Sequence, residues 1–475
     1  MADERREYRI LDKDLGRVTN AGHASQSLAR PRVRLGLALV CTAALAALAA
    51  GIVGQPALGT VSAALAVAFY LAASIGANDV ANSLSPAVGA GAVSLARGLW
   101  LVAIMEVAGA VIAGGGVTRT LTQGLVGETL SGTPSAEMML VALVAATTLI
   151  SLATWIDAPI STTHSVVGAI TGAGMASFGW DSVHWDALAR VALGWMVSPV
   201  ISGLLAATLL ASLHRHVLDK DDPIPGGRIW LTGLVAVTGG ILVAVAATAY
   251  GGLPPLLIIG MTLAATGLGA AHAHLVLGRQ IARGTSDGKV IKGLLALPLT
   301  VAAMVMGFAH GANDASNIAA PLTIVLNSLS GDESGRILAP TAVLALSGLG
   351  ISAGILLFGG RLVHMVGSNI TRLNHSRGLC VTLAAAMTVL GFSLFGLPVS
   401  TTHILVGAVF GVGFWRERRD RARAKDRASL PLPEEEVSRR HLVRRSYVRG
   451  ILGAWMITVP LNAAVAAGMV WLLGL

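Results

Sequence analysis

The chain has 475 residues, 54% of them hydrophobic and only 12% charged, with a mean hydropathy of +0.71. A composition this apolar excludes an ordinary soluble domain and points to a polytopic membrane protein. The net charge of +9 does not mark a nucleic-acid binder, because the basic residues lie in loops between apolar runs.

Residues 1–34 form a charged tail, too long and too mixed in sign for a signal-peptide head. The run 35–54 reads as an extra, uncleaved transmembrane helix, in preference to a signal cleaved near "AALAA". Further apolar spans follow at roughly 57–95, 99–117, 187–212, 230–250, 254–277, 294–330, 336–359 and 451–473. An open sheet cannot satisfy its backbone in lipid, so the spans are expected to be helices. Cys41 and Cys380 are the only cysteines, with no metal-ligand spacing and no disulfide framework.

Two spans are too long for one straight crossing: 57–95 would be roughly 58 Å of helix, about twice the hydrocarbon thickness. Each contains a polar phrase, "SIGANDVANSLSP" (Ser74–Pro86) or "HGANDASNIAAP" (His310–Pro321). A helix that breaks at the phrase and resumes is the expectation. Two more apolar segments, 138–178 and 379–414, are interrupted by "APISTTHSVVGA" (Ala158–Ala169) and "LPVSTTHILVGA" (Leu397–Ala408). Proline followed by hydroxyl residues signals a helix start. Each segment is therefore read as a re-entrant hairpin of two half-helices.

With the tail inside and both hairpins re-entrant, all but Arg119, Arg190 and Arg336 of the 34 Lys and Arg fall on the cytoplasmic side. The span 57–95 then runs inward and 294–330 outward. "GWMVSP" (Gly194–Pro199) and "AWMITVP" (Ala454–Pro460) extend the match. The expected fold is an all-α polytopic membrane protein. It has two inverted-topology repeats, 57–212 and 294–475, joined by a connecting region, 213–293, with two transmembrane helices. The second repeat includes a cytoplasmic loop, 415–450. The amino terminus is cytoplasmic and the carboxyl terminus outside. Paired broken helices in inverted repeats suggest a secondary transporter with its site near the midplane.

Ser161, Thr162 and Thr163 open one half-helix, and Ser400, Thr401 and Thr402 the other. A helix start offers unpaired N–H groups and a partial positive charge, and the hydroxyls add donors. Two facing starts would cradle a tetrahedral oxyanion. Asp79 and Asp314, ionisable at membrane depth, are candidate coupling groups. With Asn78, Asn82, Asn313 and Asn317 they offer hard oxygen ligands for Na⁺; the aspartates could instead carry protons. No Lys or Arg lies in either motif. Co-bound cations would supply the missing charge, a physical reason for symport.

Glu106 either pairs with a helix start or lines the pathway. His164 and His403 are read as donors holding the hairpin tips from behind. His310, His272 and His274 have no counterparts across the repeats and are read as packing. Trp195 and Trp455 are read as packing or interface anchors.

The duplicated "GAND" and "P-x-S-T-T-H" phrases resemble the inorganic phosphate transporter (PiT) family over about 57–212 and 294–475. The resemblance implies Na⁺- or H⁺-coupled phosphate import by alternating access, with no organic cofactor. Phosphate would sit on the six hydroxyl residues and Na⁺ near Asp79 and Asp314. It leaves open metal–phosphate as the form carried, and a homodimer. Asp157 departs from the pattern, standing where the second repeat has Gly396. The alternatives are a sulfate permease of the same family, an intramembrane metal-dependent hydrolase and a passive anion channel. The hydrolase would not need two inverted copies of its site, and no membrane-depth Lys or Arg ring marks a channel.

Overall fold

The computed structural model describes residues 58–127, 132–155, 160–283, 287–329, 338–365, 374–426 and 445–475. The tail, the span 35–54, Asp157, the middle of the loop 415–450 and the side chain of Trp455 lie outside the described residues. The described residues are helical and contain no sheet; the one β-type pairing is an isolated bridge between Val126 and Val183. Ten helical segments among them are long and apolar enough to cross a membrane.

The first helix, α1 (Leu58–Gly89), runs unbroken through the first Asn-Asp phrase. The expected break is absent because the polar side chains find partners without freeing the backbone. Asn82 Nδ2 donates to Asp79 Oδ1 at 3.2 Å and to Thr402 Oγ1 at 3.0 Å. At 32 residues α1 is about 48 Å long, so it must tilt or project beyond the hydrocarbon. The chain continues through α2 (Leu95–Ala113), the short α3 (Gly115–Gln123), α4 (Gly132–Trp155), α5 (Thr162–Phe178) and α6 (Trp185–Leu213). Helices α7 (Pro223–Tyr250) and α8 (Pro255–Arg283) pack together as the connecting pair.

The second Asn-Asp phrase does interrupt its helix. Helix α9 (Asp287–Asp314) stops and α10 (Ser316–Ser328) begins after Ala315. The interruption is slight, since Ala315 keeps helical dihedrals and its carbonyl accepts from Ile318 N in a tightened turn. Then come α11 (Pro340–Gly354), α12 (Gly360–Met365), α13 (His375–Leu394), α14 (Thr401–Asp426) and α15 (Arg445–Leu473). In the pairs α4/α5 and α13/α14 a second helix starts at the Ser-Thr-Thr phrase, but α4 and α13 are each long and apolar enough to cross a membrane, longer than the expected half-helices. Helix α5, at 17 residues, spans about 26 Å, short of a full crossing.

Glycines let four pairs of helices meet backbone to backbone. Where α1 crosses α11, a Cβ on Gly76 would lie 2.0 Å from the Ile351 carbonyl oxygen, and one on Gly354 2.1 Å from that of Ala73. Where α2 crosses α9, Gly311 and Gly109 stand in the same relation to Glu106 and Phe308. The register is identical: in each crossing the contacted carbonyl belongs to the residue three before the partner glycine. A second matched pair joins α5 to α15 through Gly168 and Gly172, and α14 to α6 through Gly407 and Gly411. Any side chain at these glycines would push the helices apart.

Candidate functional site

The two hairpin tips and the two Asn-Asp phrases converge on one buried cluster. Ser161 caps α5 by accepting from His164 N at 3.3 Å, and Ser400 accepts from His403 N at 3.4 Å. Capping uses a lone pair of each serine oxygen and leaves its O–H to donate elsewhere. Thr163 and Thr401 turn toward Asp314. Thr163 Oγ1 lies 3.4 Å from Asp314 Oδ1, and Thr401 Oγ1 3.5 Å from Asp314 Oδ2. Asn317 Nδ2 donates to Thr163 Oγ1 at 3.3 Å and to Asp314 Oδ1 at 3.2 Å. Thus Asn82 on α1 reaches the α14 tip, while Asn317 on α10 reaches the α5 tip.

Asn313 performs a different task from its neighbours. Its Nδ2 donates to Val399 O at 2.6 Å, and its Oδ1 accepts from Val399 N at 3.0 Å. This two-point clamp holds the residue before Ser400 and commits the amide oxygen to backbone. Its Nδ2 also lies 2.7 Å from Asp314 Oδ1. Asn78 is partly exposed beside Asp79.

Trp195 is a buried anchor from α6: its indole N–H donates to Pro398 O at 2.9 Å. His164 packs on this ring at 3.9 Å between centroids, and edge-on to His403 at 4.6 Å. Neither ring nitrogen of His164 has a hydrogen-bond partner among the described residues. The expectation that it donates to a tip is therefore corrected. It supports the hairpins by packing, its ring tilted against Trp195 and edge-on to His403.

His310 overturns its reading as a packing residue. It is 1% exposed and sits among three acids. Its Nδ1 lies 2.7 Å from Glu106 Oε1, its Nε2 2.7 Å from Asp314 Oδ2 and 3.8 Å from Asp79 Oδ2. Glu106, fully buried on α2, thus faces neither a helix start nor an open pathway. A buried charge requires a partner, and Glu106 and His310 supply each other. The signal was present in the sequence as one unpaired acid and one unpaired base at membrane depth. His272 and His274 lie on α8, away from the cluster; His274 meets Arg228 at 2.8 Å.

The sequence profile of the phosphate transporter family matches residues 75–466. An inorganic phosphate transporter of Arabidopsis thaliana chloroplasts is 33% identical, over 86% of this chain and 71% of its own. A Helicobacter pylori relative whose name is that of a phosphate permease is 32% identical over 94% of this chain and 96% of its own. Among solved structures, one described as the sodium-dependent phosphate transporter superposes with a TM-score of 0.74 at 29% identity. That match covers 88% of this chain and 99% of the other.

Proposed function

We propose, from the premise that this chain belongs to the phosphate transporter family, that it imports inorganic phosphate with Na⁺ by alternating access. Family membership makes it a transporter rather than an enzyme, and favours phosphate over the sulfate alternative. The observation that carries the mechanism is the shared cluster: both Ser-Thr-Thr tips lie against buried Asp314, Asn82 links the α14 tip to Asp79, and no Lys or Arg lies in the motifs. A phosphate on Ser161, Thr162, Thr163, Ser400, Thr401 and Thr402 gains two helix starts but no Lys or Arg charge. Cations on Asp79 and Asp314, with Asn78, Asn82 and Asn317 nearby, offset the burial of the anion. Asn313 acts by holding a tip.

Na⁺ is favoured over H⁺ by the oxygen-rich amides and by the sodium-dependent description of the superposing structure. The inverted repeats 57–212 and 294–475 are supported by the matched glycine crossings and by the exchanged Asn82–Thr402 and Asn317–Thr163 contacts. The distribution of Lys and Arg supports a cytoplasmic amino terminus and an external carboxyl terminus.

The test is uptake of labelled phosphate into sealed proteoliposomes under an inward Na⁺ gradient, an inward H⁺ gradient, or neither, with excess cold sulfate in parallel. Na⁺-driven uptake that sulfate leaves intact is expected. Uptake driven by H⁺ alone moves the coupling to the aspartates as proton carriers. Suppression by sulfate reopens the sulfate reading, and gradient-independent uptake rejects symport.

A further inference from the structure

The connecting pair α7/α8 carries a cation that the transport cluster does not use. We propose that Arg228 on α7, with His274 and Arg279 on α8, forms a site for the headgroup of an anionic phospholipid in the cytoplasmic leaflet. The proposal takes from the reading above only the orientation of the chain, which puts this end of α7 and α8 inside.

Three observations support it. The first is depth. Trp230 and Tyr250 are the aromatic residues of α7. About 30 Å of helix separate them, which matches the hydrocarbon thickness, and aromatic side chains gather at its two boundaries. Arg228, about half a turn beyond Trp230, therefore stands at headgroup level. The second is charge. A guanidinium offers five N–H donors. Among the described residues Arg228 makes one hydrogen bond, from Nη2 to His274 Nε2 at 2.8 Å, and its Nε is buried without a partner. An imidazole that accepts on Nε2 brings no negative charge, and no described carboxylate pairs with Arg228. A guanidinium at the edge of the hydrocarbon calls for an anion. The third is shape. Gly278 leaves the guanidinium its seat, since a Cβ there would lie 3.1 Å from Nη2. Ile229 and Leu275, 76% and 59% exposed, flank the pair with apolar surface for acyl chains.

The chemistry selects the headgroup. Two oxygens of a phosphodiester match the fork of a guanidinium. Arg279 and Arg283 stand exposed on the same end of α8. Their charge favours an anionic headgroup over a zwitterionic one, whose ammonium they repel. The last turn of α7 and the first turn of α8, at the opposite boundary, hold no Lys or Arg. The site is therefore confined to one leaflet.

The test is native mass spectrometry of the full-length, detergent-purified protein, titrated with phosphatidylglycerol or with phosphatidylcholine of the same acyl chains. Retention of phosphatidylglycerol at least about 10-fold tighter than phosphatidylcholine is expected. Arg228→Gln should weaken it at least about 10-fold, as loss of a charge-assisted hydrogen bond does. Arg279→Gln should weaken it about 5-fold, the effect of one surface charge. Arg361→Gln, an exposed cation on α12, should leave it unchanged. The proposal is overturned if the unmodified chain shows no preference, or if Arg228→Gln and Arg361→Gln lose the lipid equally. Displacement by millimolar inorganic phosphate would make this a site for the free ion and overturns it too. So does an Arg228→Gln protein that keeps the lipid and loses dimers, which assigns the surface to a second copy. If Arg228→Gln does not fold, the exposed Arg279→Gln decides. Binding is read without transport, so the phosphate-uptake result bears separately on the reading above.

Discussion

The crossing of α1 with α11 and the crossing of α2 with α9 share one backbone geometry and carry opposite chemistry. In the first, Ile75 precedes Gly76 and Ile351 lies three before Gly354; both isoleucines are fully buried. In the second, His310 precedes Gly311 and Glu106 lies three before Gly109. The glycine contacts hold the helices at the same separation in both places. What differs is the pair of side chains beside them, apolar in one crossing and ionic in the other. The consequence reaches the aspartates. Asp314 has both oxygens engaged, by Asn313, Asn317 and Thr163 on one and by Thr401 and His310 on the other. Asp79 keeps Oδ2 without a hydrogen bond. Two crossings of like backbone geometry therefore stand beside two inequivalent acids.

The shared geometry is the easiest part to break. Gly76→Val and Gly311→Val should each cost about 3 kcal/mol or more, because the new side chain meets backbone that cannot rotate away. Fluorescence-detected size exclusion should show comparable loss of folded protein for both, and a large difference would refute the equivalence of the crossings.

The difference between the crossings is tested next. Glu106→Ala should destabilise the protein by about 3–5 kcal/mol, the usual cost of leaving a buried partner alone. The double variant Glu106→Ile/His310→Ile copies the apolar crossing. It should recover most of that stability in thermal unfolding while still failing to drive phosphate uptake. Full activity in the double variant would mean that the ionic pair is only packing.

Smaller effects sharpen the comparison at the tips. Asn82→Ala and Asn317→Ala each remove one amide-to-threonine hydrogen bond, worth about 1 kcal/mol. Each should raise the phosphate KM about 5-fold in proteoliposome uptake, and equal shifts would support the exchange of contacts between halves. Trp195→Phe keeps the packing and loses the bond to Pro398 O. A loss of about 1 kcal/mol or less in thermal unfolding is expected, with the fold intact.

Much of this molecule is legible in its sequence. The apolar runs locate the helices, and the duplicated phrases locate both tips and both aspartates. Three features are not legible there, each for a physical reason. The continuity of α1 depends on where Asn82 finds its partner, in Thr402 of a distant segment. The role of His164 depends on a tilted ring contact with Trp195 that no spacing encodes. His310 is obscured by comparing the repeats, since a residue without a counterpart looks incidental. Its lack of a counterpart is in fact the signal, because the equally solitary Glu106 completes it.

The clamp on Val399 has a mechanical meaning. Asn313 grips both backbone groups of that residue, and Trp195 holds the one before it. The tip of α14 is thereby bolted to the end of α9, one residue from Asp314. Such a tip cannot swing as a free flap. Any displacement that leaves these bonds intact carries the Ser-Thr-Thr tip and the acid together, as a single rigid piece.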